Sequence, residues 1–192
     1  DYYVHFKEIL GIVAEQASRI EFVSCDVAYD IPKSLEDIVV IPTDIRRKMS
    51  HYKTTRYFGQ RDQRKQDGYC RVYDKRLELA ERKREDITGD LSRIEVVYKV
   101  SDKLLLNDLV KYPPRQNENY FAAVVMDWEM LKKKQIGRII NLRDGEEMYT
   151  QYVRREVKKI LTNHYRVDFD KLARTNWEKI IKEPCSVILG VS

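Results

Sequence analysis

The chain is poor in the residues that punctuate or staple a fold. Seven glycines and five prolines in 192 residues exclude collagenous, linker-like and low-complexity classes. Three cysteines, Cys25, Cys70 and Cys185, are widely spaced and odd in number, so they match neither a disulfide framework nor a C-x-x-C zinc site. They read as reduced, buried thiols. Three histidines, His5, His51 and His164, stand far apart with no H-x-H pair, which argues against a His-ligated metal. Gly59 and Gly68 are isolated, so there is no glycine-rich phosphate loop. Neither a G-x-S-x-G elbow nor an H-E-x-x-H helix occurs. No apolar run approaches the ~20 residues of a membrane span. The chain opens at Asp1 with no Met and no signal-type apolar stretch, and reads as a trimmed piece of a cytoplasmic protein.

What is present is charge on an ordered framework. Hydrophobic residues make up 43% and charged residues 35%, which excludes a disordered or membrane chain and points to a soluble protein with a very polar surface. The length suits one domain, or one with a small appendage, that folds without a disulfide or metal. Lys and Arg number 36 against 31 Asp and Glu, and the net charge of +5 leans toward an anionic partner.

Periodicity gives the organisation. Phe6, Ile9, Leu10, Val13 and Ala17 recur at helical spacing over residues 4–17. From residue 19 to 30 the period becomes two, with Val23, Cys25, Val27 and Tyr29 on one face and Ser24, Asp26, Ala28 and Asp30 on the other. Residues 33–50 read as a loop with short helical pieces. Residues 54–60 and 69–75 form a candidate hairpin around a polar turn, and residues 76–84 favour helix. Residues 91–100 are a strand with Ile94, Val96, Tyr98 and Val100 on its apolar face. Ser101 is the expected N-cap of a helix ending near Tyr112. The loop 113–119 is the expected boundary region, and residues 120–126 form one more buried strand. The remainder is helical in pattern. Residues 145–163 carry Tyr149, Val153, Val157, Ile160 and Leu161 inward and Arg154, Arg155, Lys158 and Lys159 outward; a further helix covers 169–182.

The expected fold is α+β: an antiparallel sheet with helices on one face and an open face, followed by a helical C-terminal region. Residues 1–126 are expected to form the domain that carries the open face, and 127–192 a helical region.

The open face carries the chemistry. Period-two geometry places Asp26 and Asp30, then Arg93, Glu95 and Lys99, then Tyr69, Arg71, Tyr73 and Lys75 opposite the apolar stripes. Short aspartates at alternate strand positions run against β propensity, and such departures tend to mark functional sites. Converging carboxylates suit Mg²⁺ or Mn²⁺. A metal polarises a phosphodiester, a tyrosine can attack phosphorus, and Arg and Lys hold phosphates. A solvated face crossed by ion pairs is the alternative. Between Arg46 and Arg84 stand fourteen basic and five acidic residues, interleaved with Tyr52, Tyr57, Phe58, Tyr69 and Tyr73. That mixture suits a nucleic-acid strand, with cations on phosphates and rings on bases. Arg56, Arg61, Arg64 and Lys65 are its expected DNA contacts.

The run TRYFGQRDQRKQDGYCRVYDKRLE, Thr55 to Glu78, resembles a signature of the tyrosine-dependent rolling-circle replication initiators of small plasmids from Gram-positive bacteria, a family related to integrative-element relaxases. The family's first strand block appears as Thr55, Tyr57, Phe58, Gly59 and Arg61. Its second appears as Arg71, Val72, Tyr73, Asp74, Lys75 and Glu78. An upstream block matches Cys25-Asp26-Val27-Ala28-Tyr29-Asp30, although Phe22-Val23-Ser24 replaces its basic lead. A downstream block matches Arg93-Ile94-Glu95-Val96. The resemblance covers residues 20–100, about half the chain.

The resemblance implies an origin-specific DNA nickase. Tyr73 is its nucleophile. Asp26 and Glu95 hold Mg²⁺ or Mn²⁺, with Glu78 as a further ligand, and Arg71 and Lys75 steady the scissile phosphate. Helices after residue 126 read duplex DNA, with Arg154 and Lys158 on phosphates. A homodimer and a host helicase are the implied partners, and the bacterial cytoplasm the implied location. A relaxase acting on a transfer origin is the narrower variant, and a non-catalytic DNA-binding module the rival class.

Overall fold

The computed structural model describes residues 2–17, 19–83, 87–145 and 150–189. Among the described residues eight strands form two antiparallel sheets. The first has the order β1 (Glu21–Ile31), β6 (Ser92–Leu105), β5 (Cys70–Asp74), β4 (Thr55–Phe58) and β3 (Met49–Tyr52). The second has the order β2 (Ile38–Pro42), β7 (Tyr120–Val124) and β8 (Tyr165–Val167). The helices are α1 (Tyr2–Gln16), α2 (Lys75–Lys83), α3 (Lys133–Asp144), α4 (Gln151–Leu161) and α5 (Phe169–Leu189). The fold is α+β, as expected.

One face of the first sheet is apolar for the reason the sequence gives. Val27, Tyr29 and Ile31 of β1, Ile94 and Val96 of β6, Cys70 and Val72 of β5 and Phe58 of β4 share one parity and are buried. They pack on Ile38, Val40, Tyr120, Ala122, Val124 and Val167 of the second sheet, and on Phe169, Trp177 and Ile181 of α5. The cover is therefore a sheet plus a helix, where helices alone were expected. The second sheet has its own far side. Val39, Ile41, Ala123 and Val125 face Ile139 and Leu142 of α3 and Val157 and Leu161 of α4. The segment after residue 126 thus contributes β8 and α5 to the core of the first sheet.

Several sequence expectations are corrected. Residues 38–42 form a strand inside the expected loop. Both its faces are buried, so IVVIP is continuously apolar and shows no alternation. The expected helix from Ser101 is instead the end of β6. Glu21 and Phe22 pair with Leu105 and Leu104 beyond a bulge between Phe22 and Ser24, which carries the strand through Leu105. A 3₁₀ helix over Leu106–Lys111 follows. Gly145 ends α3 in the left-handed conformation, φ 67°, and does not open the next helix. Ile9 and Val13 of α1, expected to face inward, are exposed. The side chains of Phe6 and Arg61, and all of Arg84 and Tyr149, lie outside the described residues.

No helix among the described residues is long and apolar enough to cross a membrane.

Candidate functional site

Three adjacent strands and the helix that follows one of them build the site. Arg71 stands opposite Glu95 and Tyr73 opposite Arg93 across β5 and β6. Ala28 stands opposite Glu95 and Asp30 opposite Arg93 across β1 and β6. Two rows therefore cross the open face, Asp30–Arg93–Tyr73 and Ala28–Glu95–Arg71. Ala28 adds only a methyl beside Glu95, which leaves the carboxylate uncrowded on that side. At the end of β5 the Asp74 carboxylate accepts from the Leu77 N–H at 2.8 Å, capping α2 and turning the chain so that Lys75 and Glu78 follow Tyr73 directly.

Glu95 is the hub. Its Oε1 accepts from the Tyr73 hydroxyl at 2.7 Å, and its Oε2 accepts from Arg71 Nη2. Arg93 Nη1 lies 3.7 Å from Oε1, and the Glu95 side chain is only 12% exposed. The same Arg71 Nη2 reaches Asp26 Oδ2 at 3.3 Å. Arg93 grips Asp30 as a fork, Nε to Oδ1 at 2.5 Å and Nη2 to Oδ2 at 2.7 Å. Lys75 bonds Glu78 at 2.6 Å, and its Nζ lies 6.0 Å from the centre of the Tyr73 ring. Arg82 holds the other Glu78 oxygen at 3.0 Å.

The electrostatics follow from these contacts. Burial pushes the Tyr73 hydroxyl well above its ordinary value. The bond to Glu95 and the charges of Glu95 and Glu78 push the same way, and Arg93 opposes them. The phenol is therefore protonated at neutral pH, with a carboxylate at hydrogen-bond distance to accept its proton. Burial works to raise Glu78, but the Lys75 bond and the charges of Lys75 and Arg82 outweigh it and hold the carboxyl below its usual range.

Asp26 and Glu95 converge on a single nitrogen, Arg71 Nη2, so the point between them is already a cation position. Their oxygens suit a hard divalent ion, which is commonly held by one or two carboxylates plus substrate phosphate. Such an ion fits there only if Arg71 swings aside. Among the described residues no three His, Cys, Asp or Glu side chains gather as a metal site, so Glu78 is not drawn into one donor set with Asp26 and Glu95.

The expected DNA contacts separate. Arg64 and Lys65 are exposed in the turn between β4 and β5. Arg56 is withdrawn from any ligand: it lies on the apolar parity of β4 with Phe58, is 4% exposed, and donates to the Ile38 and Leu35 carbonyls at 2.8 Å each. Burial, with Arg143 nearby, pushes its guanidinium down to about 10. Arg154 and Lys158, expected to point outward from α4, are half-buried; Arg155 and Lys159 are the exposed pair. The thiols are not activated. Burial and the Asp26 charge push Cys25 up to about 11, and burial raises Cys70 and Cys185.

Arg93 lies at the centre of the face, where strand parity had placed it, although no specific role had been given to it. Sequence reasoning missed Phe121 and Arg166, which lie beside Lys158. Arg166 sits on a strand of three residues, too short to leave a periodic signal.

No family model matches the sequence, and no curated protein is significantly similar to it.

Proposed function

We propose that the protein is a DNA nickase and strand transferase that initiates rolling-circle replication of a plasmid in the bacterial cytoplasm, with Tyr73 as nucleophile. The observation that carries the reading is the Tyr73 hydroxyl, hydrogen-bonded to Glu95 and flanked by Arg71, Arg93 and Lys75 on an open sheet face. Further support comes from the blocks that resemble the initiator family. They lie apart in the sequence, yet Asp26, Arg71, Tyr73, Lys75, Arg93 and Glu95 gather on this one surface.

In the proposed reaction Glu95 takes the phenolic proton as the Tyr73 oxygen attacks the scissile phosphorus. A phosphotyrosyl bond forms to the 5′ side and the P–O3′ bond breaks. The 3′ oxygen leaves with the electron pair and, once protonated, becomes the primer hydroxyl. Arg71 and Arg93 can turn part of their hydrogen bonding from Glu95 to the phosphoryl oxygens as negative charge builds there. The phosphotyrosyl ester keeps the bond energy, so attack by a 3′ hydroxyl reseals the strand. A Mg²⁺ or Mn²⁺ ion belongs to the proposal, with Asp26 and Glu95 as its protein donors, and would add charge neutralisation at the phosphate. Origin DNA, a host helicase and a second copy of the chain are the proposed partners, and a relaxase acting on a transfer origin uses the same chemistry.

One observation favours the rival reading of a DNA-binding module without catalysis. Asp26, Asp30, Glu78 and Glu95 are all ion-paired, as in a structural charge network. A cleavage assay decides between them. The protein is mixed with supercoiled origin plasmid and with a labelled single-stranded origin oligonucleotide in Mn²⁺, and run on a denaturing gel beside Tyr73→Phe. A detergent-stable protein–DNA adduct that requires Tyr73 is the expected result. Intact binding with no adduct on a functional origin would establish the binding module instead.

A further inference from the structure

Away from the open sheet face, on the far side of the second sheet, two cations lie over one aromatic ring and a third acts on one of them by its charge. Arg154 and Lys158 lie one turn apart on α4, and Arg166 lies on β8. Lys158 Nζ is 5.8 Å and the Arg166 guanidinium carbon 5.7 Å from the centre of the Phe121 ring on β7. Arg154 Nη1 donates to the Pro42 carbonyl at 3.2 Å. Its Nε is shut away from water and has no hydrogen-bond partner.

Among the described residues this cluster has no paired counter-charge. No ion pair to Arg154, Lys158 or Arg166 occurs among the described residues. Two acids whose charges couple to the cluster are committed elsewhere. Asp44 influences Arg154 but is paired with Arg46 at 3.2 Å, and Asp168 influences Arg166 but accepts from Asn117 Nδ2 at 2.7 Å. Gathering like charges in a half-buried place is unfavourable unless an anion joins them. The strain registers on Lys158, whose ammonium is pushed down by burial and by the charges of Arg154 and Arg166.

We infer that Lys158 and Arg166, set over Phe121, form with the neighbouring Arg154 a phosphate-binding site separate from the Tyr73 face. A phosphate group matches the donor set better than a carboxylate does, because it offers oxygens to three cations at once. That chemistry is supplied by a nucleic-acid backbone or by a free phosphate. The backbone form rests on the DNA reading above, and would place a second stretch of nucleic acid on the side of the protein away from the scissile bond. The free form does not depend on that reading.

The test uses inorganic phosphate and a non-origin single-stranded oligonucleotide as separate probes, on the full chain and on Lys158→Ala and Arg166→Ala. Arg166 is exposed on a short edge strand, so its variant is expected to keep the fold. Phosphate is followed by ³¹P NMR line broadening. Each variant is expected to weaken phosphate binding about tenfold, the scale of one charge-assisted hydrogen bond. If the ligand is a backbone, each variant also lowers the log K against log salt slope for the oligonucleotide by ~0.7. Loss of phosphate binding with an unchanged oligonucleotide slope supports the site and assigns it to free phosphate. Phosphate binding that is absent, or indifferent to both variants, overturns it. Neither probe is cleaved, so the result stands apart from the fate of the nickase reading.

Discussion

Tyr73 stands opposite Arg93 in the strand register, yet its hydroxyl hydrogen-bonds diagonally to Glu95 at 2.7 Å. The diagonal aims the phenolic O–H at a carboxylate and sets the ring beside Lys75. Glu95→Gln keeps the shape and removes the base. It is expected to slow adduct formation by about 10²–10⁴-fold while leaving DNA affinity nearly unchanged. Single-turnover cleavage measured beside a binding titration checks this, and an undiminished rate would remove Glu95 from the reaction.

Arg71 is the second prediction. Its guanidinium holds Asp26 and Glu95 together, so Arg71→Ala removes the cation between the two carboxylates and leaves only Arg93 beside Glu95. Calorimetry at neutral pH should show Mn²⁺ binding more tightly to Arg71→Ala than to the parent chain, and the gain should vanish when Asp26→Asn is added. Equal affinities would mean that the pair is not a metal site. The stability cost of the variant should be no more than about 1 kcal/mol, because the bridge is partly exposed to solvent.

Arg56 behaves in the opposite way. Its two hydrogen bonds satisfy buried or half-buried carbonyls of Ile38 and Leu35. Arg56→Ala should destabilise the fold by roughly 2 kcal/mol or more, as both acceptors lose their donor. The salt dependence of DNA binding should not change, and a chemical denaturation curve paired with a salt titration separates the two effects.

The contrast between Arg56 and its neighbours shows what was legible in the sequence. Strand parity placed Asp26, Arg71, Tyr73, Arg93 and Glu95 on one face, because a two-residue period survives wherever one side of a strand is apolar. The same rule applied to β4 assigns Arg56 to the core with Phe58, but charge composition outweighed parity in that reading. β2 was not legible because a strand buried on both faces has no alternation to detect. The end of β6 was hidden by Ser101, a good helix cap by residue type that long-range pairing with β1 overrides. The inward set of Arg154 and Lys158 was obscured because they flank the apolar stripe of α4 closely enough for Lys158 to lie over Phe121 and for Arg154 to reach the Pro42 carbonyl.

The fourth prediction concerns pH. Burial raises the hydroxyls of Tyr29, Tyr73 and Tyr120 above the ordinary value of 10.0. A group whose proton is held more tightly in the folded state contributes fully below its unfolded pKa and loses that contribution as pH rises above it. Thermal stability should therefore show no loss from these groups up to about pH 10 and fall beyond it. Absorbance at ~295 nm should show these phenolates appearing together with unfolding. Their full ionisation in a still-folded protein would contradict the burial.

The position of β2 has a consequence for biosynthesis. Ile38–Pro42 is apolar on both faces, and its hydrogen-bonding partner Tyr120–Val124 lies far downstream. While the chain emerges from the ribosome, this sticky segment must wait for most of the protein to be made before it can be sheltered. The nascent chain therefore carries an aggregation-prone stretch that the finished molecule hides completely. Truncation before residue 120 should yield insoluble protein, because the wall shared by the two cores would have lost its central strand.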